Sequence, residues 1–381
     1  MAEIGVRSLG GSGRIEDLIA ERVFDRSAEW FPDLYEPTLR VASLNARPTC
    51  LLFAVRLDSR ASTPQVLAKV RREFPVARSG AGAGRPRLHA LPTDVGYHTS
   101  LEYGGLRSIL NVFGPSHPVF GVIRPLDHMT GQSTLLMDYV AGRTLRDAFI
   151  AESRLVASPT GRRRRAPHTA WGNAGAWLRR FHDSVPGESL PAQQVTRCEV
   201  VDHFHQYGAY LSERLGPRKL GGVASKGAEL AAGALPDRLP LAVGHGDYAP
   251  RNMFVDGSGR VTVFDPMPRW RQPRYEDLCR FTIGMRLLGL QLSSHGAAYS
   301  RGHLNRRERE FLTGYFGDDI PWAALRCYQL LILLDKWSAL VDAESGNGWR
   351  TRLRSATMLS AHEYIGREAR RLLTIASNDG D

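Results

Sequence analysis

The stretch Val243–Pro266 reads VGHGDYAPRNMFVDGSGRVTVFDP and combines polar and turn-forming residues with two short β-forming runs. Two short runs of β-forming residues, Met253–Val255 and Val261–Phe264, flank the turn sequence Asp-Gly-Ser-Gly. This pattern predicts a β-hairpin. A hairpin at this position reverses the chain, so we expect Asp265 to lie beside Asn252.

Three side chains of this stretch carry the groups that phosphoryl transfer requires. The reaction needs a carboxylate within reach of the attacking hydroxyl, and it needs oxygen ligands for Mg²⁺ on the nucleotide phosphates. Asp247 can be the carboxylate. Asn252 and Asp265 can be the ligands, because Mg²⁺ prefers hard oxygen donors. The spacing therefore predicts a catalytic base next to a magnesium site.

The motif HGDYAPRN at 245–252, with Asp265 thirteen residues later, resembles the catalytic loop and metal-binding aspartate of the aminoglycoside phosphotransferase family, relatives of the protein kinases. The resemblance implies a two-lobed, protein-kinase-like α+β fold. An N-terminal five-stranded antiparallel sheet with a helix would precede a helix-rich C-terminal lobe. It also implies that Asp247 accepts the hydroxyl proton, that Asn252 and Asp265 hold Mg²⁺, and that ATP or GTP is the co-substrate.

Periodicity along the chain is consistent with two lobes. Five strand-like runs occupy 40–43, 51–57, 65–70, 119–124 and 134–140. A helical pattern covers 97–113, and helical periodicity prevails beyond Gly142. We therefore predict an N-terminal nucleotide-binding lobe at 1–137, a hinge at 138–142 and a helical C-terminal lobe at 143–381. The Gly-, Ala-, Arg- and Pro-rich residues 79–92 predict a mobile insertion in the first lobe.

Lys69 lies in the apolar run VLAKV at 66–70, which resembles the strand whose lysine contacts the nucleotide phosphates in the family. The alternative is an edge-strand lysine that keeps its ammonium group in water. The resemblance implies an ion-pair partner on the following helix. We expect Glu102 to be that partner, with Glu73 as the alternative.

Two other short segments also resemble parts of the family. The run LMDYV at 136–140 resembles the hinge, in which the carbonyl of Asp138 and the amide of Val140 would bind the adenine edge. The alternative is that these five residues are the end of an ordinary buried strand. The segment YEDL at 275–278 resembles an element whose aspartate braces the catalytic loop, which points to Asp277. A charge at a helix N-terminus fits Asp277 equally well.

The charge of the chain does not indicate a nucleic-acid partner. The net charge is +11, but 46 of the 50 basic residues are arginine and are spread along the sequence. The run Arg162–Arg165 stands among Pro, Gly and Ser without aromatic residues, which favours a solvated loop. Four distant cysteines exclude a disulfide framework, and no apolar run is long enough to span a membrane. We therefore expect a cytoplasmic protein with no membrane span; the oligomeric state stays open.

The residues after Asp265 bear on the acceptor. They include 17 Lys or Arg against 13 Asp or Glu, a difference of +4. Because a polycationic aminoglycoside would be held better by an acidic wall, this excess favours a neutral or anionic small molecule. A sugar, a nucleoside or a glycolipid precursor fits this description. The alternatives are an aminoglycoside antibiotic kinase and a catalytically silent kinase-like binding protein.

Overall fold

The computed structural model describes residues 14–34, 37–47, 49–58, 62–72, 84–89, 95–156, 166–344 and 351–378. Glu73, the run Arg162–Arg165 and most of the predicted insertion lie outside these residues. The described residues form two compact units. The first draws on the ranges 1–75, 92–107 and 123–141, and the second on 76–91, 108–122 and 142–381.

The strands of the described residues are β1 Arg40–Arg47, β2 Cys50–Arg56, β3 Val66–Arg71, β4 Phe120–Gly121, β5 Pro125–Met129, β6 Thr134–Asp138, β7 Arg143–Thr144, β8 Leu241–Val243, β9 Met253–Val255, β10 Val261–Val263 and β11 Arg271–Pro273. The α-helices are α1 Ile15–Trp30, α2 Val95–Phe113, α3 Leu145–Ile150, α4 Thr169–Ser184, α5 Arg197–Leu215, α6 Pro217–Leu220, α7 Val223–Ala234, α8 Tyr275–Arg286, α9 Gly289–Ser293, α10 Arg301–Phe316, α11 Trp322–Glu344 and α12 Thr351–Asn378. Short 3₁₀ turns occupy Thr130–Gln132 and Pro250–Asn252.

The first unit contains the predicted five-stranded antiparallel sheet. Its strand order is β1-β2-β3-β6-β5, and every neighbouring pair is antiparallel. Apolar side chains of α1 at helical spacing, Ile19 and Val23, lie in one buried cluster with Phe53, Val55 and Leu136 of the strands. Burial of this face by the helix is what makes the sheet stable in water.

One strand of this sheet differs from the prediction. The run 119–124 does not enter it; β5 is the neighbour of β6, through a tight connection at 130–132. Within that run only β4 is a strand, and it pairs in parallel with β10 in the second unit. Gly121 makes the pairing possible, because a Cβ there would lie 1.8 Å from Thr262 Oγ1. The weakly apolar sequence PLDHM of β5 gave no comparable signal.

The second unit is built around α11, where Leu330, Leu331 and Leu334 are fully buried. α11 packs against α5, α7, α8 and α12. The helical periodicity beyond Gly142 does not produce one continuous helix over 275–292, since α8 ends at Arg286 and Leu288 adopts an extended conformation, with ψ of 140°, before α9. Glycine at 289 has a low helix propensity, which fits a break there.

Residues 84–89 also belong to the second unit, and Leu88 is buried in its core. The polar and small residues around Leu88 gave no sign of this anchoring. Among the residues that the structure describes, no helix combines the length and apolar character that crossing a bilayer requires.

Candidate active site

The hairpin predicted at 253–264 is confirmed. β9 and β10 pair antiparallel with Val263 opposite Met253, and the Phe264 N–H donates to the carbonyl of Asn252 over 3.0 Å. The turn is closed by Asp256, whose Oδ1 accepts the N–H of Ser258 at 2.8 Å. Partial burial opposes ionisation of Asp256, but hydrogen bonds from the turn outweigh it and lower its pKa. Asp265 lies two residues beyond the end of β10, whose last residue, Val263, pairs with the neighbour of Asn252, Met253.

Asp247 is held from two sides within the catalytic loop. Asn252 Nδ2 donates to the Asp247 backbone carbonyl at 2.9 Å and to Oδ2 at 2.7 Å. The guanidinium of Arg251 forms an ion pair with Oδ1. The side chain of Asp247 is nevertheless 44% exposed. The carboxylate is therefore fixed in orientation and still accessible to a small molecule.

The structure brings Asp247 and Asp265 into one neighbourhood, around the buried imidazole of His245. Burial lowers the pKa of His245, and the carboxylates of Asp277, Asp247 and Asp265 act against that shift. The carbonyl of His245 accepts the Met267 N–H at 2.7 Å, which ties the loop to the residues just after Asp265. The three acidic groups thus act on the same buried imidazole.

The donor set fits a magnesium ion that also binds phosphates. Because Nδ2 of Asn252 faces Asp247, its oxygen Oδ1 is directed away from that carboxylate and can ligate a cation. Within the described ranges, no group of three or more His, Cys, Asp or Glu could hold a metal by itself. One amide and one carboxylate suit Mg²⁺, which keeps waters and phosphate oxygens as its other ligands.

Asp277 braces the catalytic loop. It is fully buried at the start of α8, and its Oδ2 accepts the backbone N–H of His245 at 2.7 Å. The same oxygen lies 3.2 Å from His182 Nε2, and His182 Nδ1 lies 2.8 Å from the Tyr315 hydroxyl. Asp277 also lies in the first turn of α8, so the charge at a helix N-terminus and the brace are one and the same residue.

His182 and Tyr315 were not expected at this position. The sequence of α4 indicates a packing helix and no role in the chemistry. The feature that could have indicated this role is a histidine, His182, at the end of the apolar face of α4. A buried polar group at such a position needs a hydrogen-bond partner.

Gly246 allows the close contact between the two loops of the site. Its φ is +83°, and a Cβ there would lie 2.8 Å from the carbonyl oxygen of Met267. A side chain would therefore be strained in its backbone and would collide with a main-chain atom. Only glycine fits between the histidine and the aspartate of the motif.

In the first unit, Lys69 and Glu102 form a buried ion pair. Lys69 Nζ lies 2.8 Å from Glu102 Oε1, and Arg71 Nη2 lies 2.5 Å from Oε2 of the same carboxylate. The edge-strand interpretation of Lys69 is wrong, since β3 lies between β2 and β6 and Lys69 is only 6% exposed. Arg71 was missed, although alternation along the strand puts it on the same face as Lys69.

The segment predicted to be the hinge follows the last residue of β6. Asp138 ends that strand, and its carboxylate pairs with Arg124 at 3.1 Å. The Tyr139 N–H donates to the carbonyl of Gln65 at 2.9 Å. Among the described residues, the Val140 N–H has no backbone acceptor.

This fold, with an Asp-Asn-Asp constellation on a hairpin, defines the class of small-molecule phosphotransferases that share the protein-kinase fold. The model of the phosphotransferase enzyme family matches residues 99–311, more than half of the chain. The chain therefore belongs to the phosphotransferase enzyme family, and it is a small-molecule kinase. No curated protein sequence matches it.

Solved structures share the fold at low sequence identity. A choline kinase from Cryptosporidium parvum Iowa II has a TM-score of 0.56 and 9% identity, and the match covers 96% of this chain and 97% of that one. A spectinomycin phosphotransferase in complex with ADP and spectinomycin has a TM-score of 0.51 and 12% identity, over 91% and 98%. An ADP-bound aminoglycoside phosphotransferase has a TM-score of 0.50 and 13% identity, over 90% and 98%.

Proposed function

We propose that this chain transfers the γ-phosphate of ATP or GTP to a hydroxyl group of a neutral or anionic small molecule, such as a sugar, a nucleoside or a glycolipid precursor. One observation carries the proposal. In a member of the phosphotransferase family, Asn252 orients an accessible Asp247 carboxylate directly beside the hairpin that leads to Asp265.

Asp247 is proposed to accept the proton of the attacking hydroxyl. The hydrogen bond from Asn252 and the ion pair with Arg251 fix both of its oxygens, so the carboxylate needs little reorganisation when a substrate binds. Positioning is the main contribution that a protein can make to phosphoryl transfer. When bound, Mg²⁺ would neutralise charge on the transferred phosphates, and Asn252 Oδ1 and Asp265 would hold it.

In the first unit, we propose that Lys69 contacts the nucleotide phosphates and that Glu102 holds its ammonium group in place. We also propose that the Asp138 carbonyl and the Val140 amide bind the base. The Val140 amide supports this proposal, since no backbone acceptor in the described residues engages it. A nucleotide base could accept that hydrogen bond.

The charges near the catalytic loop favour an acceptor that is not polycationic. Arg251 lies against the proposed base, and Arg269 stacks over Trp270 with 5.5 Å between the guanidinium carbon and the ring centroid. Cations at these positions would repel an aminoglycoside and attract an anionic molecule, and they would not repel a neutral one.

The test is a turnover screen against sugars, nucleosides and aminoglycosides, with Asp247→Asn as the loss-of-function variant. We expect this variant to lower kcat by about 10²- to 10⁴-fold, the range that general-base catalysis contributes. The increase in Tm that a magnesium-bound nucleotide produces should persist, because nucleotide binding does not require the base. Asp256→Asn, in the hairpin turn, is the matched control and should retain turnover.

Unchanged turnover in Asp247→Asn would contradict the assignment of the base. A wild-type protein whose Tm responds to neither ATP nor GTP, and which phosphorylates nothing in the screen, would instead support a silent binding protein.

A further inference from the structure

The second unit contains a cavity of about 360 Å³ whose lining residues bind neither Mg²⁺ nor nucleotide in the proposed reaction. Residues of α4 and α10 and the beginnings of β8 and α8 line it. Leu241, Tyr275 and Phe316 supply apolar surface. Cavities of this size, with apolar walls and a few polar groups, are typical of small-molecule sites.

Three charged side chains line the same cavity. Arg274 Nη1 lies 2.8 Å from Asp183 Oδ1, and Arg179 Nε lies 3.7 Å from Asp183 Oδ2. These side chains are 35% to 57% exposed, so water can take the place of a lost partner. Two guanidinium groups carry more N–H donors than one carboxylate can accept. The lining therefore has donors for a second acceptor, which fits a carboxylate or a phosphate group.

A fourth polar residue of the lining, Tyr315, belongs to the chain of contacts behind the catalytic loop. Its hydroxyl lies 2.8 Å from His182 Nδ1, and His182 Nε2 lies 3.2 Å from Asp277 Oδ2. That oxygen accepts the backbone N–H of His245 at 2.7 Å. Two side chains, His182 and Asp277, therefore connect the wall of the cavity to the backbone of the catalytic loop.

The directions of these hydrogen bonds follow from the groups themselves. An ionised carboxylate only accepts, so the hydrogen between His182 and Asp277 belongs to His182 Nε2. When the imidazole is neutral, its Nδ1 accepts, and the Tyr315 hydroxyl donates to it. Burial is the largest influence on the pKa of Tyr315 and raises it, whereas a hydrogen bond from Arg274 lowers it. Because a hydroxyl has a single hydrogen, an anion in the cavity that accepts it takes it away from His182.

We propose that this cavity is a second ligand site, which takes a small organic anion, a carboxylate or a phosphate monoester on an apolar body, and which loosens the catalytic loop when it is occupied. Arg179 and Arg274 hold the anionic group, and Leu241 and Phe316 contact the apolar body. Asp183 is exposed enough to be hydrated when the arginines change partner. The site itself does not depend on the reaction, whereas its effect on turnover rests on the proposed function.

The first experiment measures binding without turnover. Benzoate and phenyl phosphate are the probes, and their binding to the full chain is followed by ligand-observed NMR titration at constant ionic strength. Benzylamine is the control ligand, because it has the same ring and the opposite charge. The nucleotide site is kept filled with Mg²⁺ and the non-hydrolysable analogue of the preferred nucleotide, so that phenyl phosphate cannot bind in its place.

We expect one of the two anions to bind, and Arg179→Gln to raise its Kd by about tenfold, because a hydrogen bond to a charged group is lost. Asp183→Asn should lower the Kd, since it removes the carboxylate that competes for the arginines. Arg218→Gln, exposed on α6, is the matched control. Absence of binding, equal binding of benzylamine, or a Kd that neither Arg179→Gln nor Asp183→Asn changes would overturn the proposal.

The second experiment tests the connection to the catalytic loop. Amide hydrogen exchange at His245 reports its hydrogen bond to Asp277. We expect the bound anion to speed this exchange by about fivefold, the factor that corresponds to the loss of one hydrogen bond. It should also lower kcat for the acceptor that the screen identifies. The amides of β9 are the reference and should not respond.

Tyr315→Phe separates binding from its effect on the loop. The variant should still bind the anion, because both arginines remain, but exchange at His245 should no longer respond to it. A response that persists in Tyr315→Phe would overturn the proposal, and so would a wild type in which the bound anion leaves exchange at His245 unchanged. A protein that shows the binding and the response but phosphorylates nothing would support the site and refute the proposed function.

Discussion

At the scale of single residues, Asp265 has an unusual backbone conformation. Its φ of +58° lies in the left-handed region, which residues other than glycine rarely adopt. The cost of such a conformation is about 1 kcal/mol or more, and it is usually kept where function requires it. Asp is among the side chains that tolerate this region best.

We expect Asp265→Asn to fold, because Asn tolerates the same backbone conformation. The Mg²⁺ concentration that gives half-maximal turnover should rise by about tenfold or more, since an anionic ligand is replaced by a neutral one. A titration of Mg²⁺ at saturating nucleotide measures the change. Asp256→Asn is the control, and an unaltered Mg²⁺ requirement in Asp265→Asn would exclude this residue as a ligand.

The ion pair between Lys69 and Glu102 leads to a second prediction. The stability lost on mutation should differ between its two residues, because Arg71 also contacts Glu102. Glu102→Gln removes the carboxylate that Lys69 and Arg71 share, and it should lower the free energy of unfolding by about 3 to 5 kcal/mol. Lys69→Met leaves Glu102 paired with Arg71, so we expect a clearly smaller loss. Urea denaturation of both variants gives the comparison, and an equal or reversed order would show that Arg71 does not share the carboxylate.

At the scale of elements, the catalytic loop depends on a glycine that only the folded structure explains. Gly246 combines a φ of +83° with a close approach to the Met267 carbonyl. The sequence motif contains this glycine. The motif does not show, however, that the main chain of Met267 packs directly against it.

Gly246→Ala should therefore lower the free energy of unfolding by about 1 to 2 kcal/mol through backbone strain alone, with further loss from the contact with Met267. Turnover should fall as well, because the shift occurs beside Asp247. Gly257→Ala is the matched control, since a Cβ at the hairpin tip meets nothing within 4 Å. Chemical denaturation and steady-state kinetics test both variants; equal stability of the two would contradict the explanation.

The strands show where local pattern fails. β9 and β10 were predictable because turn residues separate two short β-forming runs. The apolar run 119–124 looked like a sheet strand, but only its two residues Phe120 and Gly121 pair, and they do so with β10. β5 has few apolar residues and is held by its neighbour β6 instead. The alternation of polar and apolar residues can indicate a strand, but it does not show which other strand will pair with it. That pairing is decided by the tertiary structure.

At the scale of the whole molecule, buried ion pairs connect the helices of the second unit. Burial alone would raise the pKa of Glu308, but Arg286 and Arg326 hold it at about 2. The pKa of Glu276 is likewise about 2, because Arg280 and His89 outweigh its burial. Arg286 contacts Glu308 at 2.5 Å, and Arg326 contacts it at 2.8 Å.

These pairs predict acid sensitivity. A carboxyl whose pKa is lowered from 4.5 to about 2 stabilises the fold fully above about pH 4.5, and this stabilisation is lost as the pH falls toward 2. We expect the contribution of Glu308 to be on the order of 3 kcal/mol at neutral pH. Urea midpoints measured between pH 7 and pH 3 should decrease accordingly.

Glu308→Gln isolates this contribution. It should be less stable than the wild type at pH 7, because Arg286 and Arg326 lose the carboxylate of Glu308, and the difference should narrow as the pH falls. Glu213→Gln is the control, since that side chain is exposed on α5. A difference between Glu308→Gln and wild type that is constant over the whole pH range would contradict the lowered pKa.

The sequence by itself determined the parts of this protein that depend on residues close together in the chain. The two β-forming runs at 253–255 and 261–264 and the turn sequence between them are enough to predict the hairpin, because a short turn leaves few ways to pair the runs beside it. The lysine in β3 and the acidic residue on α2 follow from the resemblance to the family, with Glu73 as the alternative to Glu102.

Tertiary structure alone decided the contacts between distant segments. It placed His182 and Tyr315 behind Asp277, Arg71 beside Glu102, and Arg274 beside Asp183 of α4. The physical reason is that a buried charge or hydrogen-bonding group takes whichever partner the packing brings within about 3 Å. Many polar residues of the sequence could be that partner, and the packing of the folded chain determines which of them is.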